Sequence, residues 1–166
     1  MGTSQTDTTK LNQNSQPKII IAADHRGRDL AELIVSDLKL KAYEVANLSP
    51  AQIDPEDDYP LIARAAVLEL LKQSSQDDVA AKLILICGSG HGMCIAANRF
   101  KGIRAAVGFS LDSIQKAVQD DAINTLCLAA DDFKLGNNTW KGFIKTFLNT
   151  KLKGDSKYSR RILELG

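Results

Sequence analysis

Histidine is scarce in this chain: His25 and His91 are the only two. No second ligand stands at metal-type spacing from His91, so it reads as a contact residue in its turn and no metal site is expected. Cysteine is almost as thin. Cys87, Cys94 and Cys127 are odd in number and form no metal-type pair, which argues against a disulfide scaffold and fits a reducing cytoplasm. Charge of either sign is nearly absent in the balance, at +1, so no field draws the protein to nucleic acid or a membrane surface. No apolar run is long enough to span a bilayer. The first sixteen residues are rich in Thr, Gln, Asn and Ser and lack an apolar stretch, so 1–16 reads as a disordered leader rather than a secretory signal.

What is present is ordinary globular material, 44% hydrophobic and 25% charged, and residues 17–166 suffice for one domain with a real core. Strand-like and helix-like segments alternate. Apolar runs at 18–23, 43–48, 83–86, 103–107 and 125–129 read as strands, and helical spacing is expected over 26–40, 60–73, 93–100, 112–119 and a last segment capped by Asn138 or Thr139 through 148. The stretch 49–58 holds two prolines and four acidic residues and reads as a solvated loop. Residues 151–161 read as a basic tail ending in a short apolar turn. Alternating elements with near-continuous apolar strands predict an α/β fold, a Rossmann-like three-layer sandwich with a five-stranded parallel sheet.

Three strand ends carry chemistry. Asp24-His25 follows the first strand, Cys87-Gly88-Ser89-Gly90-His91-Gly92 the third, and Asp131-Asp132 comes after the fifth. Cys87 has two readings: a packed core thiol, or a base stabilised by turn amides and the following helix. Gly88, Gly90 and Gly92 favour the second, because a turn needing three glycines suits a nest for an oxyanion. The turn lacks both the dinucleotide fingerprint and the Gly-Lys-Ser/Thr of a phosphate-binding P-loop. Asp24 reads either as a cap for the first helix or as a ligand for sugar hydroxyls.

The run Ile86-Cys87-Gly88-Ser89-Gly90-His91-Gly92-Met93-Cys94-Ile95-Ala96-Ala97-Asn98-Arg99 is long and specific, and Ala23-Asp24-His25 and Asp58-Tyr59-Pro60 accompany it. Together they resemble ribose-5-phosphate isomerase type B and the galactose-6-phosphate isomerase subunits, from residue 17 to the C-terminus. The resemblance implies a cofactor-free, metal-free aldose–ketose isomerisation through a cis-enediolate. It implies a homodimer or homotetramer with active sites shared between subunits, and a small sugar phosphate as substrate. By position, Cys87 is the base, Ser89 the hydroxyl relay, and Asp120 occupies the ring-opening position where the family has histidine. The resemblance makes substrate contacts of Asp24, His25, Tyr59, Gly88, Gly90, His91, Gly92, Asn98, Asp121, Lys157 and Arg161. Asp121 stands for an asparagine, Lys157 keeps a charge, and Asp131 stands where the family has a phosphate-binding arginine. That last change reverses a charge at the expected phosphate site. Three functions stay open: ribose 5-phosphate isomerase, isomerase of another sugar such as a hexose 6-phosphate, and a non-catalytic relative.

Overall fold

The computed structural model describes residues 16–74, 81–133, 136–154 and 156–165. Of the expected leader only Gln16 falls among them, and most of the polar connection at 74–78 lies outside. The apolar runs form β1 (Ile19–Ala23), β2 (Val45–Asn47), β3 (Lys82–Cys87), β4 (Ala105–Val107) and β5 (Thr125–Ala129). They make one parallel sheet in the order β2-β1-β3-β5-β4. The helices are α1 (Arg28–Leu40), α2 (Tyr59–Ser74), α3 (His91–Ala97), α4 (Leu111–Asp121), α5 (Trp140–Asn149) and α6 (Ser156–Glu164). The expected Rossmann-like sandwich is what the chain adopts.

Strand alternation divides the core between the two faces. Ile19, Ile21, Ile84 and Ile86 pack with α1, α4 and α5, while Ile20, Leu83, Leu85 and Cys87 pack with α2 and α3. All eight of these strand residues are essentially buried, which is why the strands lack the polar alternation of a half-exposed sheet. Each such aliphatic side chain contributes roughly 1.5–3 kcal/mol of transfer free energy.

Register decides where the strands end. Ala23 pairs with Ile86, and Cys87 with Ala129, so β1, β3 and β5 finish level and side by side. From β1 the chain moves outward to β2 and then returns to β3 on the other flank. The switch point therefore opens between β1 and β3, at their carboxyl ends, where open α/β sheets bind ligands.

Several boundaries differ from the sequence expectation. α3 starts at His91 rather than 93, because Gly90 takes a left-handed φ of 75° and turns the chain straight into the helix. It ends at Ala97, where the Asn98 amide is drawn off to the backbone of Ala105, accepting from its N–H and donating to its C=O at 2.9 Å each. Neither expected cap of α5 acts as one. Thr139 makes no side-chain cap bond, and Asn137 Oδ1 instead accepts from the Thr139 amide at 3.0 Å. The basic tail is largely helix: α6 places Tyr158 and Ile162 at helical spacing, and Leu165 follows in the turn after it. The Tyr158 ring lies under the ammonium groups of Lys153 and Lys157, at 4.9 and 5.0 Å. Among the described residues no helix is long and apolar enough to cross a membrane.

Candidate active site

Cys87 closes β3 and is 5% exposed, with its side chain on the α2/α3 face beside Met93. The turn that follows is shaped by three different close approaches. At Gly88 an added Cβ would meet the Arg26 guanidinium, 2.3 Å from Cζ. At Gly92 it would meet the Tyr59 ring at 2.8 Å. At Gly90 it would sit 3.2 Å from the backbone of Leu128 and Ala129, with φ already positive. The turn is thus held between α1's entrance on one side, α2's first residue on the other, and the end of β5 beneath. Ser89 is exposed at its crest. α3 begins directly from this turn, and the first N–H groups of a helix have no partner within it. His91, the first residue of α3, is exposed and makes a tilted ring contact with Phe109 at 5.9 Å.

The loop from β1 lies across the end of β3. The Asp24 amide donates to Ile86 O at 3.2 Å, and a Cβ on Gly27 would come within 2.5 Å of that same oxygen. Asp24 is buried, and its Oδ1 accepts from the amides of Arg26 and Gly27 at 3.0 and 2.9 Å. The carboxylate thus closes the turn that leads into α1 but does not cap the helix, whose N-cap position, Gly27, receives no side-chain bond. Burial raises its pKa above the ordinary value, with the Asp57 charge adding to the rise and the Gly27 amide opposing it.

Asp57 is a residue that sequence reasoning passed over. From the acidic loop it reaches back to β1's end, where Oδ2 accepts the His25 amide and Oδ1 lies against Nδ1, both at 2.7 Å. This contact is the main reason the His25 imidazole titrates above its ordinary value. Asp24, His25 and Asp57 bring ligand-type atoms within 4.8 Å of one another, but those atoms are largely occupied by the hydrogen bonds just described. A raised pKa in the fold means the imidazolium–carboxylate pair stabilises the protein fully below about pH 6.5, the unfolded value. That contribution fades as pH climbs through the folded pKa. With only two histidines to assign, proton NMR should show the His25 imidazole titrating above the unfolded value, and Asp57→Asn should bring it down. If neither resonance moves, Asp57 does not set the His25 charge.

The charge reversal expected at Asp131 is offset within the chain. Asp131 lies in the 3₁₀ turn Ala130–Asp132 after β5, and its Oδ2 accepts from Arg26 Nη2 at 2.5 Å. Its amide donates to Gly88 O at 3.1 Å. Arg26 was the second residue missed.

The remaining sequence-derived residues gather elsewhere. α4 runs 11 residues, about 16 Å, from its cap Ser110 back towards the amino-terminal ends of the strands. There Asp120 pairs with Lys153 at 2.6 Å, and exposed Asp121 shares a pocket with Asn98, Arg104 and Leu165. Lys157 shares the Tyr158 ring with Lys153, and Arg161 follows one helical turn later on α6. The structure brings together Asp24, His25, Tyr59, Cys87, Gly88, Ser89, Gly90, His91 and Gly92. It does not bring Asn98, Asp120, Asp121, Lys157 or Arg161 to them within one chain.

A family model described as Ribose/Galactose Isomerase matches residues 19–165. A probable ribose-5-phosphate isomerase B of Mycoplasma genitalium is 38% identical over 144 residues, covering 87% of this chain and 90% of that protein. A 4-deoxy-4-sulfo-D-erythrose isomerase of a Clostridium species is 35% identical over 111 residues, covering 66% and 67%. The crystal structure of ribose-5-phosphate isomerase B from Mycoplasma genitalium with bound ribulose-5-phosphate superposes with a TM-score of 0.80 at 35% identity, over 89% of this chain and 93% of that one. With a glycine turn at the switch point and this match from the first strand to the last helix, the chain belongs to the ribose/galactose isomerase family and is a sugar-phosphate isomerase.

Proposed function

We propose that the chain interconverts ribose 5-phosphate and ribulose 5-phosphate through a cis-enediolate, with Cys87 as base. The observation that carries this reading is the placement of Cys87 at the end of β3, where the glycine turn begins, with Tyr59 packed on Gly92 of that turn and the Asp24 amide bonded to the neighbouring Ile86 O. The Cys87 thiolate takes the proton from C2 of the open-chain aldose. The C–H electron pair forms the C1=C2 bond, and the carbonyl oxygen on C1 becomes an oxyanion held by the amides of 88–92. The Ser89 hydroxyl passes a proton between O1 and O2, and the thiol returns its proton to C1. Nothing is oxidised or reduced overall, so neither cofactor nor metal is required by the balance.

The second group of residues completes the site from a partner copy. Asp120 opens the ring, and Asn98, Asp121, Lys157 and Arg161 hold substrate from across the subunit boundary of a homodimer or homotetramer. Exposed Leu61, Leu68 and Ile95, at 62%, 50% and 67%, leave the α2/α3 face apolar and suited to that contact. Three free thiols fit a cytoplasmic enzyme.

A coupled assay on the wild-type protein tests the reading against the alternatives. Ribose 5-phosphate should be turned over faster than galactose 6-phosphate, erythrulose 4-phosphate or 4-deoxy-4-sulfoerythrose. Preference for one of the others moves the assignment to that sugar, and turnover of none removes the catalytic role.

A further inference from the structure

Arg26 occupies a place that its own stability does not explain. It stands in the loop between β1 and α1, yet its side chain crosses the end of β3 to reach Asp131 beyond β5. The guanidinium lies on Gly88, with Cζ, Nη1 and Nε within 2.3–2.6 Å of where a Cβ would be, so no larger residue at 88 would leave it there. Both partners are half exposed, 52% and 53%, and an ion pair that open contributes about 0–1 kcal/mol. The main chain of Asp131 is fixed, since its amide bonds Gly88 O. One guanidinium nitrogen, Nη2, is therefore held by a carboxylate whose backbone is anchored to the glycine turn. Among the described residues Arg26 makes no other side-chain hydrogen bond, so the rest of its donors stay available at the rim of the glycine turn. His25, the next cation along the loop, is directed to Asp57 through Nδ1.

We infer that Arg26, aligned by Asp131, reads the terminal tetrahedral oxyanion of the substrate, a phosphate or a sulfonate. The inference rests on the isomerase reading above and names the group that selects its substrate class. A planar fork matches such an anion bidentately, and a fork already immobilised loses less freedom on binding. Asp131 is then a positioning residue: it brings the guanidinium beside residue 131 from the α1 side.

Calorimetric titration with ribulose 5-phosphate and with free ribulose tests this, with kinetics alongside. Arg26→Ala should weaken ribulose 5-phosphate by about 10- to 100-fold, the scale of a charge-assisted contact, and leave free ribulose unchanged. Arg26→Lys should recover only part, because an ammonium cannot bind as a fork. Asp131→Asn should raise KM several-fold without lowering kcat, which a purely structural role would not do. Comparing erythrulose 4-phosphate with 4-deoxy-4-sulfoerythrose separates the two anions: equal losses mean that Arg26 reads their shared geometry, and a loss confined to one assigns that one. Arg26→Ala binding ribulose 5-phosphate as the wild type does would overturn the inference while leaving the isomerase intact. A wild type that binds no sugar phosphate would overturn the isomerase reading and this inference together.

Discussion

Cys87→Ala should lower kcat by about 10²- to 10⁴-fold, the usual share of a positioned general base, while ribulose 5-phosphate still binds. The residue separates two physical roles cleanly. As packing, it fills space on the α2/α3 face beside Met93, and its loss would lower the melting temperature while catalysis survived. As base, its loss removes the proton acceptor, and the fold tolerates the missing sulfur. Cys87→Ser sharpens the contrast. A hydroxyl nearly matches the thiol in volume, so packing is kept, but it does not ionise near neutral pH. The base role predicts that both variants are nearly inactive and nearly as stable as wild type. Full activity in Cys87→Ser would assign the residue to packing.

The second large effect is expected on stability and activity together. Gly90→Ala forces a side chain into φ 75°, and its Cβ would meet the amide of Ala129, the carbonyl carbon of Leu128 and Val107 Cγ1 at 3.2 Å each. Two of those atoms are backbone of a central strand, which cannot yield by rotating a side chain. Left-handed strain of this kind costs on the order of 1–3 kcal/mol, and 2 kcal/mol corresponds to a drop of roughly 4–8 °C in a domain of this size. The turn relieves its strain by shifting away from β5, which carries the amides off line and lowers kcat. Gly136→Ala is the matched control. It has a φ of 87° with nothing within 4 Å, so it carries the backbone penalty alone. Thermal melts should rank Gly90→Ala clearly below Gly136→Ala, and equal shifts would mean that the contact with β5 is soft.

Much of the fold was legible because the strands announce themselves. Runs such as Leu83-Ile84-Leu85-Ile86 have one reading when both faces of a sheet are covered, and the punctuation after them fixes their ends. The glycine turn was legible for a related reason: each glycine answers a steric demand, and sterics leave a mark on sequence. Asp57 left no such mark. It sits among three other acids in a proline-bearing loop, and only the return of that loop to β1 singles it out. Arg26 was hidden by reach, since nothing local says that a side chain on the β1 loop will span to β5. α6 was masked by its charge, although Tyr158, Ile162 and Leu165 carried a helical period beneath it. Asp120, Asp121, Lys157 and Arg161 were named through resemblance, which carries position in the chain but not where a single subunit folds those positions.

The glycine contacts also divide the molecule by how freely each part can change. Gly27 lies on the end of β3 and Gly90 on the end of β5, so the loops nearest Cys87 are clamped to neighbouring backbone and tolerate little drift. Arg26 and Asp57, by contrast, make their connections through side-chain atoms, to Asp131 and to His25. The backbone around Cys87 is thus the part of the molecule least free to change, whereas a contact made by side-chain reach can be exchanged one residue at a time.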